Sequence, residues 1–561
     1  MTEASQLLPT AEKSRQSRLL RIAIVEDNAT ARTNLRGHLM AIEQFDIASY
    51  SNGNELKNGL RLANFDLVLM DFHLGQSKTG VEWILQLQEQ GLFKASTGLV
   101  FVTSDGMPQT IGQILDLHPD FIIIKPYTMR SLRLNMIHYL RLRKEIQPVL
   151  DCMSRKDNLQ ALNIITHMLK GNVNKRFKND FLKMRGRLLM AEKQYPEAIS
   201  LYSDVLKKSS NILWAHWGLI KSEFFTGRWQ QCQKMLNHLI SESLTKDKAF
   251  EWMASLSIGK KDYHEAARLL DNIKDSELSI QATRLKVFAY KMLDKSDLAQ
   301  ALLEKKVQNN LSVKDRMFDY ALELARFHIQ MAEHLVNSDD HVTLSQEDYE
   351  EQRLHKLIEA RKLIGKANRG QADRQSETQK NYMLALAYTI EGDQERAEKL
   401  IHDTNSIGSL SKANTSTLID AVKVWFGLGN SDKANEILAE CDEQLLVQEN
   451  HIERLICAEL VSELEETYHI EKDRALAAND KGMKLYNARE YSDAIACFHK
   501  AYSTFPGVPA FSLNLLQCLG DLEQQEFKGL LVDHLLQELE TVTLNEKNQK
   551  RLARIKVKLG R

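Results

Sequence analysis

The sequence predicts two fold classes in succession: an α/β doubly wound, five-stranded parallel sheet, then an all-α superhelix of paired helices. Three observations carry this. Between Arg21 and Arg143, short runs rich in β-branched residues alternate with stretches of helical period. Beyond Leu150 such runs stop, and amphipathic segments come in pairs joined by short polar turns. Only Pro196, Pro506 and Pro509 lie past residue 150, so helices can continue there with few breaks.

The strand-like runs are Ile22-Ala23-Ile24-Val25, Phe45-Asp46-Ile47-Ala48, Asp66-Leu67-Val68-Leu69-Met70, Leu99-Val100-Phe101-Val102 and Phe121-Ile122-Ile123-Ile124. Helical segments separate them and follow the last, which implies a parallel sheet covered on both faces. A chain of 561 residues exceeds what one hydrophobic core can organise, so several packed units are expected.

Lys and Arg number 74 against 75 Asp and Glu, a formal net charge of -1, which supplies no global attraction to nucleic acid or anionic lipid. Cys152, Cys232, Cys441, Cys457, Cys497 and Cys518 form no C-x-x-C pair, and most sit in apolar helical contexts that suit small buried thiols in a reducing compartment. Met1 to Arg21 is polar, with no apolar stretch of signal-peptide length, and nothing in the chain approaches the roughly 18 apolar residues of a membrane span. A cytoplasmic protein without membrane insertion is expected.

In the helical region, Tyr195, Trp229 and Tyr263 fall 34 residues apart at equivalent turn positions. Three residues after each comes a small residue, Ala198, Cys232 or Ala266, where neighbouring helices must approach closely. The clearest copy runs Gly482…Tyr491-Ser492-Asp493-Ala494…Phe498…Ala501…Pro506. It resembles the tetratricopeptide consensus, whose period is about 34 residues. Weaker copies centre on Ala301, on Ala397 with Gly392, and on Ala434 with Gly429, while the polar segments Asn337 to Glu347 and Lys366 to Lys380 are expected as extended connections. Helix pairs stacked in this way present a long concave groove for a peptide or helix, with no built-in chemistry.

The chemistry-bearing residues fall where strands end. Glu26-Asp27 follows the first strand, Asp71 the third, Thr103 the fourth and Lys125-Pro126 the fifth. The carboxyl ends of parallel strands share one sheet edge, so these polar residues meet in one crevice. The pattern resembles the receiver domain of two-component response regulators, which are CheY-like and of flavodoxin-like fold, over about 120 residues. Three neighbouring carboxylates call for a hard cation, and Mg²⁺ is expected on Asp27 and Asp71, with Glu26 acting through water. The resemblance adds the backbone carbonyl of His73 as a metal ligand, without implying its imidazole. It further makes Asp71 the nucleophile that takes a phosphoryl group from a sensor histidine kinase or phosphotransfer protein, Lys125 a phosphoryl contact, Thr103 the switch hydroxyl and Pro126 a cis proline after the lysine. Ile122 departs from the family pattern, which often has an aromatic three residues before the lysine. The loop from Asp71 to Gly80 also reads slightly longer than the commonest version.

Competing functions find less support. A phosphohydrolase with a second aspartate two residues after the first would need one where His73 stands, and the helical half lacks an H-E-x-x-H pair, a phosphate-cradling Gly loop or a nucleophile elbow. No separate catalytic domain and no DNA-reading module is expected; the tail from Lys547 to Arg561, with Arg551, Arg554, Lys556 and Lys558, is basic enough to consider for phosphate contact, which keeps a nucleic-acid-binding regulator as the lesser alternative, but it reads first as the solvated face of a capping helix. A phosphorylation-independent scaffold with a receiver fold stays open, as does homodimerisation through exposed helix faces. The expected organisation is a flexible N-terminus at 1–20, a receiver at 21–143, a helical linker at 144–156 and tetratricopeptide-like repeats with capping helices at 157–561, whose partner is a protein or peptide in the groove.

Overall fold

A computed structural model describes residues 19–75, 78–171, 175–337, 346–367, 374–407, 410, 413–448, 450–505, 508–541 and 544–561. The first part of the expected N-terminal segment, residues 1–18, and the repeat signature residue Pro506 lie outside them. The described chain divides into two compact units, Met1–Leu278 with Lys306–Met317, and Ser279–Lys305 with Phe318–Arg561.

In the first unit the apolar runs become β1 (Arg21–Val25), β2 (Asp46–Tyr50), β3 (Leu67–Met70), β4 (Gly98–Thr103) and β5 (Phe121–Ile124). They form one parallel sheet in the order β2-β1-β3-β4-β5. Helices α1 (Ala29–Met40), α2 (Gly53–Leu62), α3 (Gly80–Glu89), α4 (Pro108–Asp116) and α5 (Met129–Glu145) alternate with them. Successive strand residues feed opposite faces. Ile22, Ile24, Leu67, Leu69, Val100 and Val102 pack with Leu35 and Leu39 of α1 and Leu132, Met136 and Tyr139 of α5. Ala23, Val25, Val68, Met70, Leu99 and Phe101 pack on the other side with Leu56, Trp83, Ile84 and Ile114 from α2, α3 and α4. Each fully buried leucine or isoleucine here contributes about 1.5–3 kcal/mol relative to exposure. Helix starts are set locally: Asn28 and Asn52 cap α1 and α2, and Thr79 with Glu82 forms a capping box on α3.

The chain continues through α6 (Gln147–Ser154), α7 (Asn158–Lys170), α8 (Lys178–Ala191), α9 (Tyr195–Lys208), α10 (Leu213–Phe225), α11 (Trp229–Leu239), α12 (Lys246–Gly259) and α13 (Tyr263–Leu270). Only Ile146 separates α5 from α6. The segment 144–156 is tightly packed: Ile146, Val149, Leu150, Cys152 and Met153 are buried in one core with α7, α8 and α9.

Then follow α14 (Ile280–Lys291), α15 (Ser296–Asn309), α16 (Lys314–Asn337), α17 (Gln346–Ala367), α18 (Arg374–Glu391), α19 (Gln394–Ile407), α20 (Thr415–Gly427), α21 (Ser431–Val447), α22 (His451–Asn487), α23 (Tyr491–Thr504), α24 (Pro509–Asp521), α25 (Val532–Thr541) and α26 (Glu546–Lys558). The aromatic residues of the 34-residue period open helices: Tyr195 starts α9, Trp229 α11, Tyr263 α13 and Tyr491 α23. Two residues before each lies a left-handed turn position, Lys193, Gly227, Lys261 or Arg489, and the same geometry recurs at Asp294, Gly392 and Gly429 before α15, α19 and α21. Three residues into each second helix, Ala198, Cys232, Ala266, Ala299, Ala397, Ala434 and Ala494 are fully buried. Close approach explains the small side chains, as at Gly482, where a Cβ would come within 2.7 Å of the Phe498 ring.

Three expectations change. The repeat placed on Ala301 is centred two residues earlier, because Ala299 is buried while Ala301 is exposed. The polar stretch before Lys380 is helical from Arg374, with Thr378 and Lys380 buried; residues 338–345 and 368–373 lie outside the described segments. Strands do recur after Leu150, as the short hairpin β6 (Glu526–Phe527) and β7 (Leu530–Leu531), whose turn residues Lys528 and Gly529 both take positive φ.

The second unit holds a network of buried charge. Arg284 of α14 pairs with Glu323 of α16 at 3.3 Å and with Glu453 of α22, and donates to Ser416 of α20 at 3.0 Å. Arg326 pairs with Asp420 at 2.8 Å. At its end, Leu552 and Ile555 of α26, with Leu559 just after it, pack with α24 and α25. Three of the tail cations are engaged there: Arg551 donates to Gln517 and Asn514, Lys556 pairs with Glu540, and Lys558 with Asp521.

Candidate functional site

The carboxyl ends of β1, β3, β4 and β5 bring the sequence-identified residues together. Carboxylate oxygens of Glu26, Asp27 and Asp71 lie within 4.8 Å of one another, the one such group of three metal-capable side chains among the described residues. Glu26 and Asp71 are buried and Asp27 is exposed. Lys125 Nζ reaches Glu26 Oε2 at 2.6 Å and Asp71 Oδ2 at 2.9 Å. The Lys125–Pro126 peptide is cis.

Electrostatics follow from this crowding. Burial, reinforced by the Asp71 charge, raises the Glu26 carboxyl above its ordinary pKa despite the Lys125 hydrogen bond. Burial works against the Lys125 charge, but its hydrogen bonds to Glu26 and Asp71 outweigh that and raise its pKa. Lys125 thus bonds two of the three clustered carboxylates, and Asp71 Oδ1 is buried without a hydrogen-bond partner. An orphaned, buried carboxylate oxygen beside two further carboxylates fits a hard divalent cation.

The backbone around Asp71 leaves no slack. A Cβ at Gly80, the first residue of α3, would lie 2.2 Å from the Asp71 carbonyl oxygen. Gly75, in the left-handed region, brings its backbone against Asp27 Oδ2, with a would-be Cβ at 3.0 Å. Of the longer loop read from the sequence, Gln76 and Ser77 lie outside the described residues.

Thr103 closes β4 and is fully buried. Its hydroxyl accepts from the Asp105 amide at 3.0 Å. Asp105 in turn accepts from the Met107 amide at 2.9 Å and the Thr110 hydroxyl at 2.7 Å, and its Oδ2 lies 3.3 Å from His73 Nε2. Although desolvation opposes it, these hydrogen bonds hold the Asp105 carboxyl below its ordinary pKa. Ile122, in the aromatic's usual place, is partly buried and packs against the α2–α4 side of the sheet.

Sequence reasoning missed three participants. Arg32 of α1 donates to the carbonyls of Glu26 and Asp27, fixing the acidic turn. Asp105 organises the start of α4, and its place three residues before Pro108 is the only signal that pointed to it. The His73 imidazole meets it from 32 residues away, which no spacing rule reveals.

The match to one known family agrees with this geometry. Residues 22–137 match the family described as response regulator receiver domain. No curated protein matches the chain. Among solved structures, a tetratricopeptide repeat protein from Parabacteroides merdae ATCC 43184 is 14% identical, with 54% of this chain and 99% of that one covered at a TM-score of 0.34. A human IFIT1 dimer with PPP-AAAA is 14% identical, with 62% and 72% covered at 0.24. Residues 22–137 are therefore a receiver domain. The particular chain joins that domain to a tetratricopeptide-like helical array, recognisable from its own recurring turns and buried small residues.

Proposed function

We propose that this protein is a response regulator of a two-component phosphorelay, in which phosphorylation of Asp71 modulates protein binding by the helical repeats. The observation that carries the reading is the orphaned, buried Asp71 Oδ1 on a carboxylate whose other oxygen is held by Lys125 at 2.9 Å. An Asp71 oxygen forms the new bond to phosphorus as the P–N bond of a donor phosphohistidine breaks, and the departing imidazole nitrogen keeps the electron pair and takes up a proton. The donor is a sensor histidine kinase or phosphotransfer protein. Lys125 turns its ammonium toward the charge developing on the phosphoryl oxygens.

Asp27, Asp71 and the His73 backbone carbonyl would hold Mg²⁺, with Glu26 acting through water, and the ion would supply charge neutralisation for an incoming phosphoryl group. Thr103 serves as the switch hydroxyl, and Pro126 orients Lys125. The repeats supply a surface for a protein or peptide and no separate catalysis. The engaged tail cations favour a structural cap over DNA contact. No helix among the described residues is long and apolar enough to cross a membrane. The six cysteines are free thiols, which suits a reducing, cytoplasmic setting. Ile122 in place of a switch aromatic favours a second reading, a scaffold whose binding ignores phosphorylation.

Intact mass after incubation with Mg²⁺ and acetyl phosphate tests the first reading. One added phosphoryl group, absent from Asp71→Ala, is expected; no adduct with several donors leaves the scaffold.

A further inference from the structure

The receiver is fastened to later helices of its own compact unit at two places, and both lead back to the site. Helix α4 touches α10 and α12. At Gly112 its backbone lies so near the turn before α12 that a Cβ there would sit 2.1 Å from the Leu244 carbonyl oxygen. That turn is itself firmly held, because the buried Thr245 hydroxyl donates to the Leu239 carbonyl at 2.7 Å. The second fastening is at α3. The Glu82 carboxylate, already accepting from the Thr79 amide and hydroxyl, receives Arg316 Nε and Nη2 at 2.8–3.0 Å.

Each fastening is tied to a different part of the site. Helix α3 begins at Gly80, in close contact with the Asp71 carbonyl. Helix α4 begins where Asp105 takes hydrogen bonds from Met107 and Thr110, and the Asp105 amide is held by the Thr103 hydroxyl. A continuous series of contacts therefore runs Thr103, Asp105, Thr110, Gly112, Leu244. For the buried Thr103 hydroxyl to reach a phosphoryl group on Asp71, its side chain must rotate away from the Asp105 amide. Asp105, which still caps the start of α4, then loses its tie to Thr103. Backbone packed on backbone at Gly112 has no side chain to absorb a displacement, so the Leu244 contact must move with α4 or break.

Resting on Asp71 as the phosphoacceptor, we propose that the contact of α4 with Leu244 is an intramolecular latch that phosphorylation opens, uncovering the turn 240–246 and the parts of α10 and α12 beneath α4. Arg316 on Glu82 keeps α3 in place while α4 moves. The signal reaches the repeats through a glycine backbone contact and needs no aromatic at position 122.

Hydrogen exchange of the full chain with Mg²⁺ and acetyl phosphate, read alongside intact mass, tests this. Phosphorylated wild type is expected to exchange at least tenfold faster in α4 and in 240–246, with α3 unchanged, and Asp71→Ala to show neither change. An adduct with no change in those segments overturns the latch while leaving the phosphoacceptor intact; absence of an adduct overturns both. Gly112→Ala supplies a second arm, since alanine favours helix over glycine and the receiver should keep its fold. Its 240–246 segment is expected to exchange fast without phosphate and to respond no further; wild-type protection there would overturn the latch.

Discussion

Among the described residues that bury charge, the second unit's network and the receiver edge do so with opposite results. In the second unit, Arg284 meets Glu323, Glu453 and Ser416, and Arg326 meets Asp420, so cations and carboxylates satisfy one another. Burial opposes the Glu453 charge, but Arg284 beside it lowers its carboxyl below the ordinary value. At the receiver edge, Lys125 bonds only two of three clustered carboxylates, the Glu26 carboxyl is raised, and Asp71 Oδ1 has no partner. Buried charge alone does not mark a site. A buried group left unsatisfied, beside an excess of one sign, does.

The comparison can be broken at either end. The largest expected effect is at the unsatisfied end: Asp71→Ala should abolish the acetyl phosphate adduct, and Lys125→Ala should slow its formation by about 10²–10³, as loss of one charge-stabilising donor does elsewhere. Time-resolved intact mass reads both, and an unimpaired Lys125→Ala would remove the lysine from the transfer step. At the satisfied end, Arg326→Ala strands a buried Asp420 and should cost about 3–5 kcal/mol in urea unfolding, whereas replacing both partners by apolar residues of similar volume should recover most of it. A single variant as stable as wild type would show that the network carries little.

The pH dependence sharpens the contrast further. Because the folded-state pKa of Glu453 is depressed, its contribution is present above its unfolded value of about 4.3 and is lost as pH falls through the folded value. Wild type should therefore lose stability more steeply than Glu453→Gln as pH drops below about 4.3; parallel curves would contradict the pairing. The smallest effect is expected where charges stay in solvent. Lys550→Ala, which breaks the exposed pair with Glu546, should change stability by less than about 0.5 kcal/mol.

These differences also explain what the sequence could disclose. The strands and the site residues were readable because parallel strands deliver their ends to one edge, so polar residues after apolar runs converge whatever the loops do. Tyr195, Trp229 and Tyr263 were readable because a repeated unit repeats its turn. The left-handed residues that shape those turns were harder to see, since Lys193, Lys261, Asp294 and Arg489 stand where glycine is the usual indicator. The same absence of a glycine before α15 allowed the repeat to be centred on Ala301 instead of Ala299. Arg374 to Lys380 looked like a connection because its polar residues hide a helix whose Thr378 and Lys380 are buried. Contacts between distant segments, such as His73 with Asp105 or Arg284 with Glu453, depend on the assembled fold and leave no local pattern.

The most direct test of the central claim is to locate the phosphoryl group. After treatment with acetyl phosphate and Mg²⁺, tandem mass spectrometry should place a hydroxylamine-sensitive adduct on Asp71, and removing Mg²⁺ with a chelator should suppress it. An adduct on another residue, or none at all under conditions where the protein is folded and Mg²⁺ is present, would contradict the assignment of Asp71 as the phosphoacceptor.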